Sequence, residues 1–163
     1  MNFFLLLIPR LASRIEINKL STDLSLSRET VYNYLAFLEE TYFIKLLPRF
    51  SRSIDRSAAG RRKLFLADTG LANFLGKASL GQLFENAVFQ TLRPDYNLYF
   101  YQKERAEIDF ITDEKTALEA KTTVSKRELV HLKNRAQSLK IYESYAVSLN
   151  WSGEKEVIPA TDL

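Results

Sequence analysis

The sequence predicts a mixed α/β protein of the α+β type, with a helical unit over residues 1–67 and a sheet-containing unit over residues 68–163. Two observations predict it. Apolar residues recur at helical spacing in two blocks between residues 15 and 47, and the second half alternates helical and strand periodicity. The order helix, strand, strand, strand, helix, strand favours a central mixed sheet flanked by helices. With 163 residues, 46% of them hydrophobic, the chain can bury a packed core.

Composition excludes several kinds of site. The chain has no cysteine, so it has neither disulfides nor thiolate zinc sites, and its one histidine, His131, argues against a histidine metal site or a catalytic triad. Any metal would therefore be held by oxygen ligands. The net charge of +3 is mildly basic, so the distribution of charge matters more than its total. No stretch is typical of a signal peptide or a membrane span, which predicts a cytoplasmic protein without a membrane partner.

The helical unit shows the pattern of a helix-turn-helix. Ile17, Leu20 and Leu24 mark a short helix, and Ser27 can cap a second helix. The apolar face of this second helix comprises Val31, Leu35, Leu38 and Tyr42. Its outward face near the N-terminal end is where a recognition helix meets base edges or phosphates. The residues predicted there are Arg28, Thr30, Tyr32 and Asn33.

Two apolar runs follow, at residues 43–50 and 62–67, and a Ser-, Arg- and Gly-containing loop separates them. They predict a hairpin where a winged helix has its wing. Between residues 45 and 63 there are seven basic residues and one acid, a balance that suits phosphate contacts. The candidates are Arg49, Arg52, Arg56, Arg61, Arg62 and Lys63. A solvated loop without a ligand is the alternative, and winged helices also serve as protein-docking modules.

Residues 68–77 contain Gly70 and Gly76-Lys77 after a predicted strand, but they do not form a phosphate-binding loop. That motif needs four residues between its glycines and a Ser or Thr after the lysine, whereas this segment has five, and Ala78 follows the lysine. A short helix capped by Asp68 or Thr69 and ending at Gly76 fits better. The chain is therefore not predicted to be an ATPase.

Residues 80–92 predict a helix with Glu85 at the border of its apolar face. Such a glutamate is either a surface residue or a half-buried carboxylate directed at the sheet. Residues 97–102 predict a strand, Ser125 can cap a later helix, and residues 142–149 and 156–158 predict a central strand and an edge strand.

Two alternating runs at residues 107–112 and 116–122 flank the tripeptide Asp113-Glu114-Lys115 and predict a tight hairpin. A three-residue loop sets Asp109 opposite Glu119 and Glu107 opposite Lys121, all on one face. The other face would carry Ile108, Phe110, Leu118 and Ala120. A slip of one residue would move Glu119 and Lys121 to the face opposite Asp109.

These acids and their order resemble the PD-(D/E)XK nuclease superfamily, whose restriction-endonuclease-like fold carries an acid on a first helix, an aspartate on a strand and Glu-x-Lys on the next strand. The matching residues are Glu85, Asp109, Glu119 and Lys121. The resemblance implies that these four are catalytic and that Glu85, Asp109 and Glu119, with the carbonyl of Ala120, hold Mg²⁺ or Mn²⁺. Lys121 would orient the attacking water. The alternative is a solvated ion-pair ladder on a hairpin.

A closer resemblance covers nearly the whole chain. Residues 17–20, 30–40, 65–71, 81–86, 107–110 and 118–121 look like the C-terminal region of a family of archaeal and bacterial AAA-type ATPases. In that family an ATP-hydrolysing domain precedes a winged helix and a nuclease-like domain. The resemblance implies a DNA-binding protein that hydrolyses DNA phosphodiester bonds with a metal ion. The alternative is a non-catalytic DNA-binding or partner-docking module, with an ATPase domain or another protein as partner. The oligomeric state stays open.

Overall fold

A computed structural model describes residues 3–52, 62–104 and 106–163. Its helices, numbered in chain order, are α1 (Phe3–Leu7), α2 (Ile17–Leu24), α3 (Arg28–Glu40), α4 (Thr69–Leu75), α5 (Leu80–Leu92) and α6 (Lys126–Ser138). Its strands are β1 (Ile44–Leu47), β2 (Lys63–Leu66), β3 (Leu98–Lys103), β4 (Ala106–Thr112), β5 (Thr116–Lys121), β6 (Glu143–Ser148) and β7 (Val157–Pro159). Short 3₁₀ helices lie at Ile8–Arg10 and Ala160–Asp162. The prediction of a mixed α/β protein is confirmed.

The first unit contains the two predicted helices joined by a tight turn. α2 ends at Ser25 in a left-handed conformation, and α3 begins after Ser27, whose hydroxyl accepts a hydrogen bond from the Thr30 backbone N–H. Val31 is buried, as predicted. Tyr42 is not: the prediction that it lies on the buried face is wrong, because α3 ends at Glu40 and a positive φ at Tyr42 turns the side chain into solvent.

The β1–β2 hairpin joins this helical unit to the sheet. β1 pairs antiparallel with β2, and the opposite edge of β2 pairs with the chain near Ser13, whose carbonyl accepts from the Leu64 N–H. After β1, Pro48 and Phe50 exchange backbone hydrogen bonds with Phe100 on β3. The centre of the predicted hairpin loop, residues 53–61, lies outside the described residues.

The second unit contains a five-stranded mixed sheet in the order β3-β4-β5-β6-β7. The first three strands are antiparallel, and β5, β6 and β7 are parallel. β6 is therefore a central strand and β7 an edge strand, as predicted. α5 packs on one face through Phe84, Val88 and Phe89, and α6 packs on the other through Leu132 and Ala136.

The β4–β5 register follows the prediction where the two strands pair. Phe110 lies opposite Leu118 and Thr112 opposite Thr116, so the loop is the predicted tripeptide. Asp113 and Glu114 both adopt positive φ, which suits short polar turn residues.

The predicted alternation fails next to this loop because β4 contains a β-bulge. β3 pairs Tyr99 with Ile111 and Tyr101 with Ile108, so Asp109 and Phe110 together oppose one residue of β3. The extra residue moves Ile108 to the face of Ile111, which packs on α6. The prediction that Ile108 shares a face with Phe110 is therefore wrong.

Strand β2 contributes side chains to two hydrophobic clusters, because successive residues of the strand point to opposite faces. Leu64 and Leu66 pack among the helices of the first unit. Phe65 points the other way and stacks on Phe89, with ring centroids 4.3 Å apart. Lys63, two residues before Phe65, lies on the face that meets α5 and the sheet.

Candidate functional site

A buried lysine lies at the centre of three carboxylates. The Lys63 side chain is 1% exposed, and its Nζ lies 2.5 Å from Glu85 Oε1, 2.8 Å from Glu107 Oε1 and 3.1 Å from Asp109 Oδ1. The Lys63 ammonium donates hydrogen bonds to Glu107 Oε1 and Asp109 Oδ1, while Glu85 Oε1 lies within ion-pair distance without accepting one. We call Lys63, Glu85, Glu107 and Asp109 the Lys63 cluster.

Three elements bring the Lys63 cluster together. β2 supplies the lysine, α5 supplies Glu85, and β4 supplies the other two carboxylates. The neighbour of Glu85, Asn86, fixes α5 against β2: its Oδ1 accepts from the Leu66 N–H at 2.8 Å, and its Nδ2 donates to the Leu66 carbonyl at 3.2 Å. The amide of Asn86 thus pairs with β2 as a neighbouring strand would, which holds Glu85 beside Lys63.

The cluster changes the acidity of its members. Burial by itself would lower the pKa of Lys63, but the carboxylates of Asp109, Glu85 and Glu107 outweigh that effect and raise the pKa above its ordinary value. Burial and repulsion from Asp109 raise the pKa of Glu85 to about 8, against the opposing attraction of Lys63. Lys63 is therefore charged, and Glu85 takes up a proton close to neutral pH.

A second charged group lies on the other side of β5. Lys121 Nζ lies 3.1 Å from Glu119 Oε1, and Arg135 Nη1 of α6 lies 3.6 Å from Glu119 Oε2. Burial raises the pKa of Glu119, and the nearby Lys121 opposes that rise. Burial would lower the pKa of Lys121, but the carboxylate of Glu119 reverses this effect and raises it.

Asp109 is the link between the two charged groups. Its Oδ1 faces Lys63, while its Oδ2 accepts a hydrogen bond from the Ala120 N–H at 3.0 Å. The side-chain contacts divide the four residues predicted to be catalytic into two pairs. Glu85 and Asp109 meet at Lys63, and Glu119 and Lys121 pair with each other, because the alternation of β5 directs Glu119 toward α6.

This arrangement does not fit the expected Mg²⁺ or Mn²⁺. Mg²⁺ requires about six oxygens at about 2.0–2.1 Å, whereas the point where Glu85, Glu107 and Asp109 converge is filled by the Lys63 nitrogen. Within residues 3–52, 62–104 and 106–163, no group of three or more His, Cys, Asp or Glu side chains is arranged to hold a metal ion.

The outward end of α3 is open to solvent. Arg28, Tyr32 and Asn33 are exposed, and Thr30 is half-buried with its hydroxyl 2.9 Å from that of Ser27. These side chains lie on the face predicted to meet nucleic acid.

The basic residues of the hairpin divide between surface and interior. Arg52 and Arg62 are exposed and Arg49 is half-buried, while Arg56 and Arg61 lie outside the described residues. The prediction that Lys63 belongs to this basic surface is corrected, since its ammonium contacts carboxylates inside the protein. The sequence signal was its spacing from Phe65, which places both on one face of β2.

A cleft of about 380 Å³ opens beside this surface, between residues 49–52 and the end of α6. Arg49, Arg52 and Lys140 line it, with Phe50 and Tyr101. The Arg52 guanidinium spans the cleft and donates to the Leu139 carbonyl at 2.8 Å. Sequence reasoning missed Lys140, because 87 residues separate Arg52 from Leu139 and no local pattern joins them.

These features define a mixed α/β protein with a buried charge cluster and a basic cleft. The family model described as "Domain of unknown function (DUF8612)" matches residues 1–82, half of the 163 residues, and the chain belongs to this family. It is 33% identical over 118 residues to "Uncharacterized protein MJ1544" of Methanocaldococcus jannaschii, a match that covers 65% of this chain and 26% of that protein. The chain thus spans about a quarter of the length of this relative. No solved structure matches it. No helix among the described residues has the length and apolar character needed to cross a membrane.

Proposed function

We propose that the chain is a DNA-binding module, with a winged helix-turn-helix unit joined to a restriction-endonuclease-like unit. The basic cleft carries this proposal. Arg49, Arg52 and Lys140 line it together with the aromatic side chains of Phe50 and Tyr101. Basic side chains near aromatic rings are the combination that binds phosphates and stacks on bases.

The α3 surface adds the second half of the proposed interface. Arg28 lies in the first helical turn, where backbone N–H groups also favour anions, and Tyr32 and Asn33 follow on the exposed face. Glu29 in the same turn opposes phosphate contact. We therefore assign most of the affinity to the basic cleft.

Fluorescence anisotropy with duplex DNA at several salt concentrations tests this function. Neutralising Arg52 and Lys140 together (R52Q/K140Q) is expected to weaken binding about tenfold at moderate salt and to reduce the salt slope by about two, since two phosphate contacts are lost. The matched control is K126Q/K133Q on the exposed side of α6, which removes the same charge and should leave binding nearly unchanged. Equal losses in both variants, or no binding of the wild type at low salt, would contradict the proposal.

Metal-dependent hydrolysis of DNA is a second candidate. The hydrogen bond from the Ala120 N–H to Asp109 Oδ2 favours it by placing this carboxylate beside the Glu-Ala-Lys segment. A metal ion could bind Asp109 and Glu85 together only after the Lys63 ammonium had left them. Incubation with plasmid DNA and Mg²⁺ or Mn²⁺ tests it. Cleavage that disappears in D109N would support hydrolysis, and cleavage that D109N leaves unchanged would count against it.

The resemblance to AAA-type ATPases supports a third element of the proposal. We infer that the module works beside an ATPase domain or a partner protein that performs the energy-dependent step. Co-purification of the protein with ATPase activity, with and without ATP, followed by DNA-binding measurements, tests this arrangement.

A further inference from the structure

The carboxylates of the Lys63 cluster are arranged around one cation, and this cation is the side-chain ammonium of Lys63. Three carboxylate oxygens from α5 and β4 converge on one point, within 2.5 to 3.1 Å of it. The atom at that point is the Lys63 nitrogen, brought there by a strand of the other unit. A nitrogen at this distance from all three oxygens leaves no volume for a metal ion among them.

The charges of the cluster also depend on this ammonium. Three ionised carboxylates and one ammonium carry a formal charge of −2. Without Lys63, the carboxylates of Glu85 and Asp109 would have no counter-charge in a largely buried space. Such a space either protonates its acids or takes up a cation.

Ions can reach the cluster from solvent. The Glu107 side chain is 38% exposed and lines a polar cleft of about 260 Å³ together with Ser13, Arg14 and Gln102. A metal ion therefore has a path to the cluster, and Lys63 rather than a closed wall opposes its entry.

We propose that the Lys63 ammonium is the resident cation of the Glu85, Glu107 and Asp109 site, in place of a divalent metal ion. Docking of β2 against the sheet and occupancy of this site by a metal ion are then mutually exclusive. This goes beyond the proposed DNA binding, which depends on the basic cleft on another part of the surface.

Mn²⁺ binding to the wild type and to K63M tests the proposal. The wild type is expected to show no saturable Mn²⁺ site by calorimetry at these carboxylates. K63M, which keeps an unbranched side chain one atom shorter than lysine and lacks the charge, is expected to bind one Mn²⁺. Its melting temperature should rise by about 5–10 °C when Mn²⁺ reaches about 100 times its Kd. The double variant K63M/E85Q should lose much of this affinity.

K45M is the matched control, since Lys45 belongs to the same hairpin but is more than half exposed and pairs only loosely with Glu39 at 3.6 Å. K45M, like the wild type, should show no saturable Mn²⁺ site by calorimetry. A wild-type Mn²⁺ site that E85Q abolishes would overturn the proposal, as would a folded K63M without Mn²⁺ affinity.

A measurement on the wild type decides the question if K63M does not fold. With ¹⁵N-labelled lysine, the protected Lys63 ammonium should give a slowly exchanging NMR signal, identified by its absence from K63R or K63Q. A Mg²⁺ titration that leaves this signal unchanged supports the proposal. Mg²⁺-dependent loss of the signal would overturn it, because the metal would then have displaced the ammonium.

Discussion

The two charged groups next to the five-stranded sheet differ in how far apart their members lie along the chain. Glu119 and Lys121 are two residues apart on β5, and Lys121 remains 38% exposed. Lys63 meets Glu107 and Asp109 across 44 and 46 residues, and its side chain is 1% exposed. The comparison teaches that the pair two residues apart is visible in the sequence, whereas the buried lysine meets its partners only through the whole fold. We expect the pair on β5 to contribute less to stability, because Lys121 is more exposed to solvent than Lys63 is.

The largest effect is expected from removing the buried cation. Lys63→Met should lower the free energy of unfolding by about 3–5 kcal/mol in metal-free buffer, since three carboxylates lose their counter-charge in a buried space. Urea denaturation followed by circular dichroism measures the change. If Lys63→Met lowered the free energy of unfolding no more than the substitution of an exposed lysine does, the buried group would not be more stabilising than the pair on β5.

The second largest effect is expected in how the stability contribution of Glu85 depends on pH. Burial and the nearby Asp109 raise the pKa of Glu85 from 4.5 to about 8 in the folded state. This group therefore stabilises the fold fully below its unfolded pKa, and the contribution is lost as pH rises through about 8. The melting temperature of the wild type relative to Glu85→Gln should fall between about pH 5 and about pH 9.

Thermal denaturation of both proteins at several pH values measures this difference. Glu119→Gln serves as the comparison, because Lys121 and Arg135 both oppose the rise in the pKa of Glu119. A constant difference between wild type and Glu85→Gln across this range would contradict the assignment.

The smallest effect is expected at the half-exposed pair. Lys121→Met should change the free energy of unfolding by less than about 1 kcal/mol, because solvent screens the pair and Arg135 still faces Glu119. The same denaturation series gives the value. A loss as large as that of Lys63→Met would mean that Lys121 belongs to the same buried network.

Local patterns in the sequence were sufficient for the elements and their ends. Ser27, Asp68 and Ser125 cap helices where their side chains predicted, and α4 ends at Gly76. The tripeptide loop after β4 fixed the register of the hairpin. These features depend on hydrogen bonds within a few residues, which local sequence specifies.

The candidate site could be predicted only in part. Glu85, Asp109 and Glu119 were identified as important acids, but the bulge in β4 and the burial of Lys63 were not predicted. A bulge depends on how two strands twist against each other, and no residue in β4 marks it. Lys63 follows two arginines and reads as part of a basic surface, whereas the fold buries it because Phe65 on the same face enters the core.

The Asn86 amide that pairs with Leu66 has a consequence for synthesis on the ribosome. Leu66 is made 20 residues before Asn86, so the partners that Asn86 and Glu85 supply to β2 are absent until α5 has been synthesised. An unpaired strand end of this kind can add to another exposed strand. The hydrogen bonds at this edge of β2 therefore form only after α5 has emerged. A pause in translation between residues 66 and 86 would prolong the time for which this edge can pair with another strand.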